Sequence, residues 1–167
     1  MQLLAMLVGM DGTAKRTLHG HAALRRGRAS ISGQAYLVTC VTRDRRPLFS
    51  DPAAAQAVAR AITDKRLWYR SRLLAWVLMP DHWHGLIELG PMETLSVCVQ
   101  RLKANTARAY PANRGGPGRV WEASFHDRAM RRDDDLRIAA RYLVANPLRA
   151  GLVEEIGKYP YWDAMWL

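Results

Sequence analysis

LLAWVLMPDHWHGLIEL, residues 73–89, holds two apolar segments on either side of a Pro-Asp break. Residues 73–79 form a continuous apolar run of a length typical of a strand buried on both faces. His82–Leu89 follows at once, and Pro80 and Asp81 leave room only for a tight turn. The stretch therefore predicts a hairpin of two antiparallel strands.

The segments on either side of this hairpin predict further strands and helices. QAYLVTCVT, residues 34–42, is rich in β-branched and aromatic residues and predicts a first strand. Asp51 and Pro52 precede alanines and apolar residues at helical spacing, which predicts a first helix, and a second helical pattern begins at Leu95. After a loop rich in glycine and proline, residues 120–130 predict a last strand, or a strand and a turn.

A C-terminal helix completes the pattern. Three aspartates at residues 133–135 provide the acceptors and the negative charge that favour a helix N-terminus, and Pro147 is expected to end the helix near Asn146. The order strand, helix, strand, strand, helix, strand and helix predicts an α+β fold, a ferredoxin-like antiparallel sheet with its helices packed on one face. No internal repeat or second boundary is visible, so residues 31–167 are expected to form one domain.

The charge of the chain favours a polyanionic partner. Among 167 residues, 25 are Lys or Arg and 15 are Asp or Glu, which gives a formal net charge of +10. Part of the positive charge lies in residues 11–30, a polar and basic stretch without periodicity that ends in LRRGRAS. Residues 1–30 are predicted to be a flexible basic arm. A biased genome composition also enriches arginine, so the charge alone does not identify the partner.

Other compositional features concern the location of the protein. No apolar run approaches the ~20 residues that span a bilayer, so no membrane contact is expected. Residues 1–10 lack the basic start and the cleavage site of a secretory signal. Cys40 and Cys98 lie far apart, without the spacing of a disulfide framework or a zinc site. Together these features predict a cytoplasmic protein with reduced cysteines.

His82 and His84 form the first candidate site. Side chains of a strand alternate between its two faces, so the two imidazoles point to the same side and can share one cation. Glu88 projects from that face as well, but six residues of strand put it roughly 20 Å from His82, and it is expected to be a surface charge. A His-x-His pair also occurs without any metal, which leaves a structural role open.

Tyr142 and Asn146 form the second candidate site. They are spaced i and i+4 on the C-terminal helix, so a phenol and an amide oxygen share one helical face, where a nucleophile and a metal ligand could meet. A tyrosine in an alanine-rich helix is also common in hydrophobic cores. His126, in the segment SFHDR, is a candidate base for the phenol, and a structural role in a turn is an equal alternative.

Several segments taken together resemble one known family. VLMPDHWHGLIEL at residues 77–89, VWEASFHDRAM at 120–130 and RYLVANPLRAGLV at 141–153 are similar to the REP-associated tyrosine transposases of bacteria. These are relatives of the HUH-type insertion-sequence transposases, which use one tyrosine and a His-hydrophobic-His motif. The arm, the first strand and the C-terminal tail are also similar, so the likeness covers about residues 24–167. It implies an HUH endonuclease fold and an enzyme that nicks and rejoins single-stranded DNA at palindromic repeat hairpins.

The resemblance implies a role for each candidate residue of the two sites. Tyr142 would be the nucleophile that becomes joined to a 5′ phosphate. His82 and His84 would hold a divalent ion, Mg²⁺ or Mn²⁺, and Asn146 is a candidate third ligand, at a position where related enzymes often have glutamine. The resemblance thus implies that the chain is a metal-dependent transposase and single-stranded DNA endonuclease.

The resemblance also implies how the DNA is bound. Part of the arm corresponds to a Gly-Arg-Ser-type element associated with reading a short sequence beside the hairpin, and basic residues of the second helix are candidates for phosphate contacts. The predicted DNA-binding residues are Arg25, Arg26, Gly27, Arg28, Ser30, Arg101, Lys103 and Arg108. Relatives work as dimers or as single chains, so a monomer and a homodimer both stay open. Trp83 and Gly85 depart from the family's more usual residues, which affects packing and leaves the ligands in place.

Two other functions fit the same residues. The ferredoxin-like sheet also occurs in RNA-recognition domains, which bind nucleic acid without catalysis, although the aromatic signature of their central strands is absent from this sequence. A metal on the histidines that activates water would make the chain a hydrolase in which Tyr142 is structural. A covalent link between protein and DNA separates the three functions, because only the transposase-type reaction forms one.

Overall fold

The computed structural model of the chain describes residues 30–111, 119–131 and 136–166. The predictions for the aspartates at 133–135 and for arm residues 1–29 fall outside these ranges. The described strands and α-helices, in chain order, are β1 (Ala35–Val41), α1 (Pro52–Thr63), β2 (Ser71–Met79), β3 (His82–Leu89), α2 (Leu95–Ala109), β4 (His126–Ala129), α3 (Leu136–Val144), α4 (Asn146–Arg149) and β5 (Trp162–Ala164).

The five strands form one antiparallel sheet in the order β4-β1-β3-β2-β5. The predicted hairpin of β2 and β3 lies inside this sheet, because each of its strands pairs with a further strand on its other side. The order β4-β1-β3-β2 is that of a ferredoxin-like sheet, in which the connections carry the helices. The α+β class predicted from the sequence is therefore confirmed.

The C-terminal tail adds a strand that the sequence analysis did not predict. Trp162–Ala164 pairs with β2 along its outer edge. Nearby, the Tyr159 hydroxyl donates a hydrogen bond to the Leu78 carbonyl at 2.6 Å. Three residues are too few for an alternating pattern to be recognised in a sequence. The tail nevertheless covers backbone groups of β2 that would otherwise form an exposed sheet edge.

Helices α1 and α2 begin at capping side chains. Asp51 accepts a hydrogen bond from the Ala53 N–H at 3.3 Å, and Thr94 accepts one from the Val97 N–H at 3.3 Å. These bonds satisfy N–H groups of the first helical turn, which have no partner inside the helix. Pro52 in the first turn of α1 adds a backbone angle that suits a helix start. Both helices begin where the sequence predicts them.

The helices cover both faces of the sheet, which corrects the expectation that they pack on one face. Helices α1 and α2 cover the face that carries Trp83 and Ile87 of β3. Helix α3 packs on the opposite face, where Ala140 and Leu143 join Leu86 in a second cluster. The physical reason is that β2 and β3 project apolar side chains to both sides, so an uncovered face would leave those side chains in water.

The C-terminal helix is shorter than predicted. Helix α3 ends at Val144, and Ala145, with a ψ of 3°, separates it from the four-residue helix α4. Pro147 lies in the first turn of α4, where its missing N–H removes no helical hydrogen bond. The proline therefore starts a second helix where it was expected to end the first one. Tyr142 and Asn146 consequently lie on two successive helices.

The predicted arm meets the described structure at Ser30. The Ser30 hydroxyl accepts a hydrogen bond from the Leu95 N–H at 3.0 Å, at the first residue of α2. The chain entering β1 is therefore attached to the second helix. The division into an arm of residues 1–30 and a domain of residues 31–167 stays a prediction. None of the described helices is long and apolar enough to cross a bilayer.

Candidate active site

Two imidazoles lie side by side at the beginning of β3. His82 and His84 flank the buried Trp83, so both face the side of the sheet on which α3 packs. Their ring centroids are 4.5 Å apart and the ring planes are inclined by 78°. The predicted same-face arrangement of the two histidines is therefore present, and it lies on the face that carries the helix of Tyr142.

Each imidazole is oriented by a hydrogen bond at its Nδ1 atom. His82 Nδ1 lies 2.5 Å from the Asp81 carboxylate, and His84 Nδ1 lies 2.8 Å from the Thr39 hydroxyl. The Asp81 carboxylate is itself bridged to Arg45 at 3.2 Å. Because Nδ1 is engaged in both rings, the Nε2 atoms are the ones that can bind a ligand.

The surroundings of His84 keep its imidazole neutral. Burial, with the charges of His82 and Arg149 acting in the same direction, lowers the pKa of His84 to about 3. A neutral imidazole has a lone pair available on one nitrogen, which a protonated imidazole lacks. At neutral pH His84 is thus ready to bind a metal ion and does not have to lose a proton first.

Tyr142 is half-buried on α3, with an arginine stacked on its ring. The guanidinium carbon of Arg149 lies 3.8 Å from the centroid of the Tyr142 ring. The same guanidinium donates a hydrogen bond to the Tyr142 carbonyl at 2.8 Å. The phenol is thus outside the sealed core, on a helix that packs on the sheet face of the paired histidines.

Asn146 makes two hydrogen bonds that occupy both ends of its amide. Its Nδ2 donates to the Leu143 carbonyl at 2.7 Å, and its Oδ1 accepts from Arg149 at 2.7 Å. The oxygen that the sequence analysis assigned to a metal is therefore bound to a guanidinium in this structure. Arg149 thus contacts both Tyr142 and Asn146, and its charge helps to lower the pKa of His84.

The candidate metal ligands of this site are all neutral, with two imidazole nitrogens and one amide oxygen. In the described part of the chain no group of three His, Cys, Asp or Glu side chains could hold a metal. The two imidazoles, whose ring centroids lie 4.5 Å apart, can provide two neutral nitrogen ligands, and Asn146 can add one neutral oxygen. Such a set fits an ion whose remaining ligands are oxygen atoms from water or from a phosphate.

Arg101, predicted to contact DNA phosphates, is bound to a buried carboxylate. Its guanidinium forms a two-pronged ion pair with Glu93 and donates to the Leu67 carbonyl at 2.8 Å. The Glu93 carboxylate is buried and also accepts a hydrogen bond from the Ser71 hydroxyl. This network joins α2 to the strands and uses a donor on each of the three guanidinium nitrogens of Arg101.

Lys103 and Arg108 lie on the same helix. Lys103 donates to the carbonyl groups of Glu122 and Ser124 at 2.8 and 2.6 Å, and so holds the segment before β4. Arg108 is exposed, with one hydrogen bond to the Asn105 side chain at 3.1 Å. Helix α2 packs on the face opposite the histidines, so the structure does not bring these basic residues to the candidate site. Their DNA contacts stay a prediction, as do those of the arm.

Three residues of the site were missed in the sequence. Asp81 adjoins His82 and stands in the turn that was noted only for its tight backbone. Thr39 meets His84 through the register of β1 and β3, which no local pattern reveals. Arg149 was detectable, because it lies three residues after Asn146, a spacing that brings side chains to one helical face.

His126 lies on the sheet face of the two imidazoles. It pairs with Thr39, which pairs on its other side with His84, so the three side chains form one row across the sheet. Two strand spacings put His126 about 10 Å from His84. His126 is exposed on a strand, so the structural alternative of a histidine bound within a turn is not what is found. Glu88 forms an ion pair with Arg72 at 3.5 Å, as expected of a surface charge.

The unusual residues beside the second histidine form one packing unit. The indole of Trp83 is fully buried and lies against the backbone of Gly85. A Cβ atom added at Gly85 would lie 2.0 Å from the Trp83 ring. The small residue and the large one therefore compensate each other on the face opposite the imidazoles.

Similarity to known proteins was found at three levels. Residues 30–144 match the family model described as "Transposase IS200 like". The REP-associated tyrosine transposase of Escherichia coli (strain K12) is 26% identical over 88 residues, which cover 52% of this chain and 50% of that protein. The chain thus matches half of the length of this curated relative.

Two solved structures are similar in fold. A REP-associated tyrosine transposase bound to a REP hairpin superposes with a TM-score of 0.63 at 24% identity, over 81% of this chain and 79% of that one. A putative transposase from Deinococcus radiodurans R1 superposes with a TM-score of 0.49 at 21% identity, over 73% and 96% of the two chains. The first superposition shows that the two chains share a fold.

Proposed function

The chain belongs to the family of IS200-like transposases, and from this premise we propose that it nicks and rejoins single-stranded DNA through Tyr142. The observation that carries the proposal is that the helix with the half-buried Tyr142 packs on the sheet face of the paired imidazoles. A phenol and two nitrogen ligands on one face are what a metal-assisted attack by a side chain requires.

The proposed reaction exchanges one phosphoester bond for another. The Tyr142 oxygen attacks a phosphorus atom of the DNA, a bond forms between tyrosine and the 5′ phosphate, and the bond to the 3′ oxygen breaks. The phenol gives up its proton and the leaving 3′ oxygen gains one. Because bond energy is conserved in the phosphotyrosine, a 3′ hydroxyl can reverse the reaction and rejoin the strand without an external energy source.

A divalent ion, Mg²⁺ or Mn²⁺, would be held by the Nε2 atoms of His82 and His84, with Asn146 as a possible oxygen ligand. When bound, it would neutralise part of the negative charge that protects a phosphodiester. The hydrogen bonds of Asp81 and Thr39 to the Nδ1 atoms support this assignment, because they aim both Nε2 atoms away from those partners. The helix of Tyr142 would hold the nucleophile in a fixed position for an in-line attack.

We propose a DNA hairpin of a palindromic repeat as the substrate. The support is the similarity to a transposase whose structure is described as bound to a REP hairpin, together with the net charge of +10. The reactive strand would have to be single-stranded next to the hairpin, since a flexible single strand can turn its phosphate toward a side chain held on a helix more freely than a duplex can.

The test is to trap a covalent adduct. The full-length protein is incubated with Mn²⁺ and with hairpin oligonucleotides taken from repeats around its own gene, each with a labelled single-stranded flank. We expect a labelled protein band that resists denaturation and a phosphotyrosine peptide that contains residue 142. Tyr142→Phe should abolish the band, and Tyr69→Phe, at an exposed tyrosine elsewhere, should keep it.

Each other outcome identifies a different function. Cleavage of the labelled strand without an adduct would refute the tyrosine mechanism and favour a hydrolase that activates water. Tight hairpin binding without cleavage would favour a non-catalytic nucleic-acid-binding protein. An adduct that persists in Tyr142→Phe would show that another residue is the nucleophile.

A further inference from the structure

Arg149 contacts both Tyr142 and Asn146 and has no role in the proposed reaction so far. Its guanidinium stacks 3.8 Å from the centroid of the Tyr142 ring and donates to the Tyr142 carbonyl and to Asn146 Oδ1. The side chain is exposed, so no packing forces it into this position. Its charge also reaches the imidazole of His84.

These contacts conflict with a metal ion that uses Asn146. An amide oxygen that accepts a hydrogen bond from a guanidinium at 2.7 Å faces a positive group, and a second positive group cannot share that position without strong repulsion. The bond between Arg149 and Asn146 and the ligation of a divalent ion by Asn146 are therefore alternatives. One must be released when the other forms.

We propose that Arg149 is a displaceable clamp, which holds Tyr142 and Asn146 in the resting enzyme and binds the reacting phosphate after a metal ion displaces it. The second half of this inference rests on the proposed function. The clamp would keep the amide oxygen occupied and one face of the phenol ring covered until both metal and DNA are present.

The guanidinium is suited to the second position. Arginine carries five N–H donors in a planar fork, and two of its nitrogens donate in the resting position. A phosphate offers oxygen acceptors in a matching geometry. Its negative charge can pair with the positive guanidinium once that side chain has left Asn146. The attacked phosphate must lie next to the Tyr142 ring, so Arg149 has to move only by a rotation of its own side chain.

The first experiment measures metal binding without DNA. Mn²⁺ affinity is determined by electron paramagnetic resonance for the wild type, Arg149→Ala and Arg141→Ala, an exposed arginine one residue before Tyr142 on the same helix. Removal of the competing guanidinium should tighten Mn²⁺ binding about 3- to 10-fold in Arg149→Ala. Arg141→Ala should change it less than about twofold, because the charge of an exposed side chain is screened by water and salt.

A double-mutant cycle separates competition from simple charge repulsion. In an Asn146→Ala background the oxygen for which metal and guanidinium compete is gone, so Arg149→Ala should no longer tighten Mn²⁺ binding more than Arg141→Ala does. If Arg149→Ala tightens binding equally in both backgrounds, or weakens it, the clamp is refuted. A merely structural arginine would give weaker binding, since its loss would loosen the site.

The second experiment measures cleavage of a single-stranded hairpin substrate. Arg149→Ala should lower kcat about 10²- to 10³-fold in spite of its tighter metal binding, because a donor aimed at the reacting phosphate is lost. Arg149→Lys should recover only part of the rate, since an ammonium group cannot make the forked contact. Unchanged kcat in Arg149→Ala would refute the phosphate half of the inference. Failure of the wild type to form any adduct would instead refute the proposed function, and the Mn²⁺ titration would still decide the clamp.

Discussion

Because His84 stays neutral in the folded protein, the free energy of unfolding depends on pH. Burial and the charges of His82 and Arg149 lower the pKa of His84 to about 3, whereas an unfolded chain has the ordinary value of 6.5. Between these values the unfolded state binds a proton that the folded state does not bind. The free energy of unfolding should therefore fall as the pH falls from about 6.5 toward 3, by up to roughly 1.4 kcal/mol per pH unit.

This pH dependence can be measured by urea unfolding of the metal-free protein at pH 7, 5.5 and 4.5. His84→Gln keeps a polar group beside Thr39 and has no proton to bind, so its stability should fall less steeply with pH than that of the wild type. Equal slopes for the two proteins would contradict a lowered pKa at His84.

The contact between Trp83 and Gly85 predicts a stability effect at the residue scale. In Gly85→Ala the new Cβ would lie 2.0 Å from an indole that is fully buried and cannot move without a backbone shift. We expect a loss of about 1 to 3 kcal/mol in the free energy of unfolding, as is usual for overpacking. Combined with Trp83→Leu, which removes the clashing ring atoms, the alanine should cost much less. Additive losses in the double variant would show that the two residues are independent.

The residues of the site were predictable where one element carries them. The pairing of His82 with His84 follows from alternation along one strand. Tyr142 and Asn146 were paired by helical spacing, but the structure places them on two successive helices. Thr39 could not be found this way, since its contact with His84 depends on the register between two strands that are far apart in sequence. The engagement of Asn146 by an arginine likewise depends on a side-chain conformation that spacing does not determine.

At the scale of elements, the Glu93 and Arg101 pair holds α2 to the sheet. Arg101→Ala would leave a buried carboxylate without its positive partner, which should lower the free energy of unfolding by about 3 kcal/mol. Arg108→Ala removes an exposed arginine from the same helix and should change stability by less than about 0.5 kcal/mol. Thermal unfolding of the two variants measures the difference. Equal stability of both would mean that the buried pair contributes nothing.

Element predictions failed where a pattern was too short or too local. Strand β5 has three residues, and a pattern of period two cannot be recognised over that length. Periodicity shows that α3 has one apolar face, but which side of the sheet that face covers depends on the path of the chain between β4 and α3. The strands β1 to β3 and the helices α1 and α2 were predictable, because capping residues and long apolar patterns mark their starts.

At the scale of the whole molecule, the net charge of +10 predicts how DNA binding depends on salt. Each phosphate that a basic side chain neutralises adds roughly 0.7 to 0.9 to the slope of log affinity against log salt. The triple variant Arg25→Ala, Arg26→Ala and Arg28→Ala should therefore bind the hairpin more weakly and with a shallower slope. Fluorescence anisotropy at several salt concentrations measures both quantities.

The same variant tests whether the arm has a role in folding. Its melting temperature should stay close to that of the wild type, because surface substitutions away from packed contacts change stability by about 0.5 kcal/mol or less. Wild-type affinity and slope in the triple variant would refute the assignment of these arginines to DNA binding. A large loss of stability would show that the arm belongs to the folded core.

The two hydrophobic clusters on opposite faces of the sheet have a consequence for motion. The cluster of α1 and α2 and the cluster of α3 share only the sheet between them, so α3 can detach in a subglobal opening that leaves the larger cluster closed. Amide hydrogen exchange should therefore be faster in α3 than in β1 or α2 under native conditions. The element that carries the phenol would then be the one that opens at the lowest free energy, and a DNA strand could enter without global unfolding.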